Sequence, residues 1–127
     1  MQDKHTFEFA IIRVVPKIER EEFMNVGVLV FCKRKKFLGI KVQVNEKRLL
    51  AFSEEIDLQL ILNYLNAWEL ICAGGTQGGP IGELEVSDRF RWLSASKSTM
   101  IQCSKTHPGL CDDPENVLND AFSRYVL

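Results

Sequence analysis

Apolar residues fall in two kinds of pattern along this chain. Phe9–Val15 and Val26–Phe31 are runs of Val, Ile, Leu and Phe, broken only by Ala10 and Arg13 in the first and by Gly27 in the second, the composition of buried strands. Pro16 stops the first run, and a charged connection, residues 18–23, leads to Asn25-Val26-Gly27 at the start of the second. After the second run comes Lys33-Arg34-Lys35-Lys36, and then residues 37–44 alternate, with Leu38, Ile40, Val42 and Val44 set against Phe37, Gly39, Lys41 and Gln43. A tight turn between strand-like segments predicts an antiparallel hairpin whose third strand buries one face. Lysines at its tip are read as solvated guards against edge pairing, more than as a phosphate site.

Helical spacing takes over after a polar connection at 45–52. Ser53 with Glu54 and Glu55 reads as a helix start, because serine caps free N–H groups and carboxylates favour the positive end. Leu58, Ile61, Leu65, Trp68 and Cys72 recur at three- and four-residue intervals, which predicts a long helix over about 55–73 with one buried face. Trp68 on that face reads as core. Gly74-Gly75 ends the helix, and 73–82, with five glycines, reads as a flexible connection. Gly74 and Gly79 have phosphate-loop spacing, but Pro80 and Ile81 stand where Lys and Ser or Thr would be required. Residues 83–92 are weakly amphipathic, ending in a short helix or turn. TMIQC, 99–103, has strand composition, 104–113 reads as a polar loop, and Asp113-Pro114-Glu115 opens a last helix with Val117, Leu118, Ala121, Phe122 and Tyr125 on one face. The expected fold is α+β: an antiparallel sheet of about four strands packed by the long central helix and the C-terminal helix, in a single domain over 1–127.

Charge and cysteine usage narrow the function classes. Sixteen basic against seventeen acidic side chains leave a net charge of −1, which disfavours nucleic-acid binding driven by general phosphate neutralisation. No apolar stretch approaches the ~20 residues of a membrane span, and Arg13 interrupts the first apolar run, against a secretory signal. Cys32, Cys72, Cys103 and Cys111 form no C-x-x-C pair, as expected of reduced thiols in a cytoplasmic protein.

Complete catalytic patterns are absent from the sequence. Cys103, His107 and Cys111 have C-x3-H-x3-C spacing but lack a fourth ligand and the paired sulfurs of a structural zinc site, so no metal and no cofactor is expected. Ser98, Thr99, Ser104, Thr106, His107, Asp112 and Asp113 supply the residue types of nucleophilic catalysis without a nucleophile elbow. Glu19, Arg20, Glu21 and Glu22 could form a carboxylate acid–base pair, or an exposed turn with local ion pairs.

Three blocks of the chain are similar to the bacterial "domain of unknown function 3037" family, over about residues 8–126. Arg13-Val14-Val15-Pro16 with Glu19-Arg20-Glu21-Glu22-Phe23 and Asn25-Val26-Gly27-Val28 resembles its signature R-V-V-P…E-R-x-E-F-x-N-V-G-V. Gly79-Pro80-Ile81-Gly82 with Arg89–Leu93 resembles its middle block. Lys97–Gln102 with His107–Pro114 resembles its C-terminal block, with Ser104-Lys105-Thr106 where many relatives carry Ser-Pro-Val. The resemblance implies no reaction. It singles out polar positions that a core would not require as candidate binding residues: Arg13, Glu19, Arg20, Glu22, Asn25, Arg89, Ser98, Thr99, Gln102, His107 and Asp112. It also implies, by association, a protein partner resembling the kinase of a bacterial toxin–antitoxin system. The expectation is an interaction or regulatory module that binds a protein partner, with a homodimer as a further state to test. The alternative is a hydrolase or nucleotide-processing enzyme using Glu19, Glu22, His107 and Asp112 around one cleft. That alternative requires the two motif blocks to converge within hydrogen-bonding reach. A basic surface for nucleic acid (Lys33–Lys36, Arg13, Arg20, Arg89 and Arg91) and a purely structural polar network complete the readings.

Overall fold

The computed structural model describes residues 4–95, 97 and 99–127. In chain order the elements are β1 (His5–Val14), β2 (Met24–Cys32), β3 (Phe37–Val42), α1 (Glu46–Phe52), α2 (Leu58–Ala73), α3 (Gly79–Gly82), α4 (Val86–Ser94), β4 (Ile101–Cys103), β5 (His107–Cys111) and α5 (Pro114–Tyr125). The five strands form one antiparallel sheet, β3-β2-β1, with β4 and β5 end to end along the other edge of β1. Ile12–Val14 pair with β4, and His5–Phe9 pair with β5. Ser104 splices the two short strands. Its N–H donates to the Ile11 carbonyl at 2.8 Å, and its hydroxyl accepts the Ile11 N–H at 2.8 Å.

The fold is α+β, as the sequence patterns predict, with one strand more than expected. The extra strand is β5, inside the segment read as a polar loop. Pro108 and Gly109 disguise it, since proline is tolerated only on a sheet edge and glycine leaves a gap on its surface. Here the Phe7 ring fills that gap: a Cβ on Gly109 would lie 2.6 Å from it.

Both faces of the sheet are covered. Ile12, Val14, Val26, Leu29, Phe31 and Ile101 pack against Ile61, Leu65, Trp68 and Ile71 of α2 and Phe90 and Leu93 of α4. Val28 and Val30 pack on the other side against Leu118, Ala121 and Phe122 of α5. β2 is therefore buried on both sides, which explains its continuous apolar run. In its pairing with β1, Ile12 faces Gly27 and Arg13 faces Asn25, so Val26 is an extra residue, a β-bulge. The bulge turns Val26 to the α2 side with Leu29 and leaves Asn25 on the α5 side.

Helix boundaries correct two expectations. Most of the connection read as polar is helical: Asn45 caps α1, Glu46–Phe52, by accepting the Arg48 N–H at 3.0 Å. Ser53 ends that helix, its N–H donating to the Leu49 carbonyl at 3.0 Å. The start of α2 is set by Asp57, whose carboxylate accepts the Leu60 N–H at 3.1 Å. Asp113 caps α5 as expected, with Pro114 in the first turn.

The glycine-rich stretch is a packed knot instead of a flexible connection. Gly74 ends α2 at φ 81°, the Gly75 N–H donates to the Gly82 carbonyl at 2.8 Å, and a Cβ on Gly82 would lie 2.6 Å from the Gly75 oxygen. It folds against the carbonyl end of a helix, an unfavourable place for phosphate.

Candidate functional site

Arg13 sits near the end of β1, and the register places one polar residue on each side of it. Asn25 of β2 and Gln102 of β4 are both its cross-strand partners, giving a polar row across three strands. The aromatic ring of Phe23 lies 3.9 Å from the Arg13 guanidinium carbon, a cation–π contact that fixes the plane of the fork. Asn25 Nδ2 donates to the Tyr125 carbonyl at 3.1 Å and ties the row to the end of α5. Gln102 Nε2 donates to the Thr99 carbonyl at 2.8 Å, and Thr99 Oγ1 donates to the Ile101 carbonyl at 2.7 Å. Arg13 Nε and Asn25 Oδ1 are buried without a hydrogen-bond partner among the described residues. Beside them a cleft of about 280 Å³ is lined by Phe23, Asn25, Arg48 and Tyr125.

The charged connection is at the same end of the sheet. Ile18–Arg20 make one 3-10 turn, Glu21 follows in the left-handed region at φ 56°, and Arg20 Nε donates to Glu22 Oε1 at 2.5 Å. Lys17 pairs with Glu55 at 3.1 Å. Two clefts flank Pro16: one of about 300 Å³ holds Arg20 and Glu22, and one of about 410 Å³ holds Glu19 and Thr99. Thus Arg13, Glu19, Arg20, Glu22, Asn25, Thr99 and Gln102 share one end of the molecule.

The remaining candidates are elsewhere. His107 lies midway along β1, its ring 5.1 Å from that of Phe9, which in turn stacks on Tyr125 at 5.9 Å. Asp112 pairs with Lys4 at 3.2 Å, beyond the start of β1. A ten-residue strand separates it from Glu19 and Glu22, roughly 30 Å at the usual rise. Glu19, Glu22 and Asp112 therefore do not share a cleft. Arg89 is a structural clamp: Nη1 donates to the Ile71 and Cys72 carbonyls at 3.0 and 2.8 Å, and Nε to the Leu84 carbonyl at 3.1 Å. It satisfies acceptors that the end of α2 leaves open. Ser98 lies outside the described residues.

Cys103, His107 and Cys111 do not assemble a ligand set. Cys103 packs on the α4 side, its thiol 3.5 Å from the Leu93 carbonyl, whereas His107 stacks on Phe9 on the α5 side. Among the described residues no three His, Cys, Asp or Glu side chains gather where a metal ion could be held. Burial pushes the Cys72 and Cys103 thiols up to about 12, so neither is a thiolate nucleophile near neutral pH.

Sequence reading missed two groups that shape this end. Lys97 donates to the Leu93 and Ala95 carbonyls at 3.3 Å and to that of Trp92, and stands 4.6 Å over the Trp92 ring. Burial pulls its pKa down. A cation just past an apolar helix end was the available signal. Leu60 and Tyr64, four apart beside the buried stripe of α2, line the Glu19 cleft.

No helix among the described residues is long and apolar enough to cross a membrane. No curated protein and no solved structure matches the chain. A family model described as "Protein of unknown function (DUF3037)" matches residues 9–126, nearly the whole length. The chain belongs to the DUF3037 family.

Proposed function

We propose that this protein is a small interaction module that binds a protein partner at the end of the sheet where β1, β2 and β4 meet. One observation carries the reading: seven of the candidate polar residues gather there, and their roles divide. Asn25, Thr99 and Gln102 spend hydrogen bonds on backbone carbonyls. They order the backbone beside the Arg13 guanidinium, while Glu19 and the exposed Arg20–Glu22 pair stand on the neighbouring connection, Glu19 sharing a cleft with Thr99. A positioned arginine beside an exposed aromatic is the composition of a binding hot spot. The four residues of the enzyme alternative are spread along the sheet instead of converging on a nucleophile and a base.

The partner class implied by the family resemblance, a kinase-like protein, is the first to test. Affinity capture with the intact protein should recover a stoichiometric partner that Arg13→Ala and Arg20→Ala both lose while remaining folded by circular dichroism. Asp112→Ala, at the far end, should retain it. Undiminished capture by both arginine variants would overturn the reading.

A further inference from the structure

Taken together, the two clefts either side of Pro16 combine exposed apolar side chains with an excess of carboxylates. In one, Leu60 and Tyr64 of α2 are more than a third exposed and lie with Val15, Pro16 and Met100. In the other, Phe52, also more than a third exposed, lies beside Pro16. Together the two linings carry Lys17, Glu19, Arg20, Glu22, Glu54 and Glu55: two cations and four carboxylates. Both cations are already occupied, Lys17 by Glu55 and Arg20 by Glu22. Glu19 and Glu54 have no ion-pair partner among the described residues.

We propose that these clefts receive a cationic amphipathic segment of the protein partner, its apolar side chains seated on Leu60, Tyr64 and Phe52 and its Lys or Arg side chains facing Glu19 and Glu54. This rests on the interaction-module reading and names the partner's chemistry. Charge complementarity selects the occupant: an acidic segment would meet carboxylates that no local cation neutralises, and a neutral apolar one would leave them desolvated and unpaired. Apolar anchors at helical spacing are the usual way a segment fills such a groove.

The test is a titration of the intact, isotopically labelled protein with a synthetic peptide of about a dozen residues, Leu at i, i+3, i+4 and i+7 and Lys between. An analogue with Glu in place of Lys is titrated in parallel. Amide shifts should move at Val15–Glu19, Leu60, Tyr64 and Met100 with the Lys peptide only. Glu19→Lys/Glu54→Lys should weaken binding at least about tenfold, or about 1.4 kcal/mol. Tyr64→Ser should weaken it without changing its salt dependence. Equal binding of the Glu analogue, shifts confined to another surface, unchanged affinity in the charge-reversed variant, or no binding would each overturn the proposal. Partner capture that depends on Arg13 and Arg20, without peptide binding, would remove the cationic segment and leave the module standing. Peptide binding with capture indifferent to both arginines would do the reverse.

Discussion

At the scale of single residues, polar side chains with similar sequence signals have different roles. Arg13 and Arg89 both belong to the family blocks, yet one lies in a half-buried polar row across three strands and the other closes a helix end. Replacing Arg89 by Met leaves the carbonyls of Ile71, Cys72 and Leu84 without their charged donor. The expected loss is about 2–4 kcal/mol, read from chemical denaturation. Lys at the same position restores only part, because an ammonium cannot fork to three acceptors in that geometry. Cys72 and Cys103 make a pH prediction. Each thiol is raised from its ordinary 9.0 to about 12 by burial, so between those values the unfolded chain has lost protons that the folded chain keeps. Stability is therefore full below about pH 9 and falls as pH rises toward 12. Thermal unfolding across that range should show the decline, and Cys72→Ala should flatten part of it. Sequence reading, through the family blocks, took Arg89 as a candidate binding residue and not as a structural one. It could not show that two of the acceptors Arg89 serves lie 17 and 18 residues earlier in the chain.

At the scale of elements, legibility tracked how far each signal was local. The α5 start was readable because aspartate, proline and glutamate stand together, and the end of α2 because glycine at positive φ stops helices. Ser53 misled the reading of α2: it has the chemistry of a cap, but its N–H closes α1 while Asp57 four residues on opens α2. Asp57→Ala should therefore cost about 1 kcal/mol, and Ser53→Ala clearly less, in paired denaturant titrations. Short α1 was hidden because a seven-residue helix shows barely two turns of periodicity. β5 was hidden by Pro108 and Gly109, whose effect depends on the edge position and on Phe7 opposite. Nothing within 104–113 reports either.

At the scale of the whole molecule, the sheet separates two helical layers and its two ends carry different charge. Trp68 is buried in the α2 layer at 3% exposure, and Trp68→Ala should cost about 3–5 kcal/mol by removing a large side chain from a packed core. The basic hairpin tip, Lys33–Lys36, lies at the end of β2 opposite the Glu19–Glu22 connection. The motif residues near Pro16 and the tip thus face different surroundings. Which candidates would assemble was only half legible: residues 13, 25 and 102 could be chosen from the family blocks, but their alignment in one row depends on the bulge at Val26 and on β4 meeting the last residues of β1. The most direct test of this division is hydrogen exchange of the intact protein, alone and with the partner proposed for it once affinity capture recovers one. Protection concentrated at Arg13–Asn25 and Thr99–Gln102 is the expected result. Protection confined to the hairpin tip and Asp112, with the motif end exchanging as in the free protein, would contradict it.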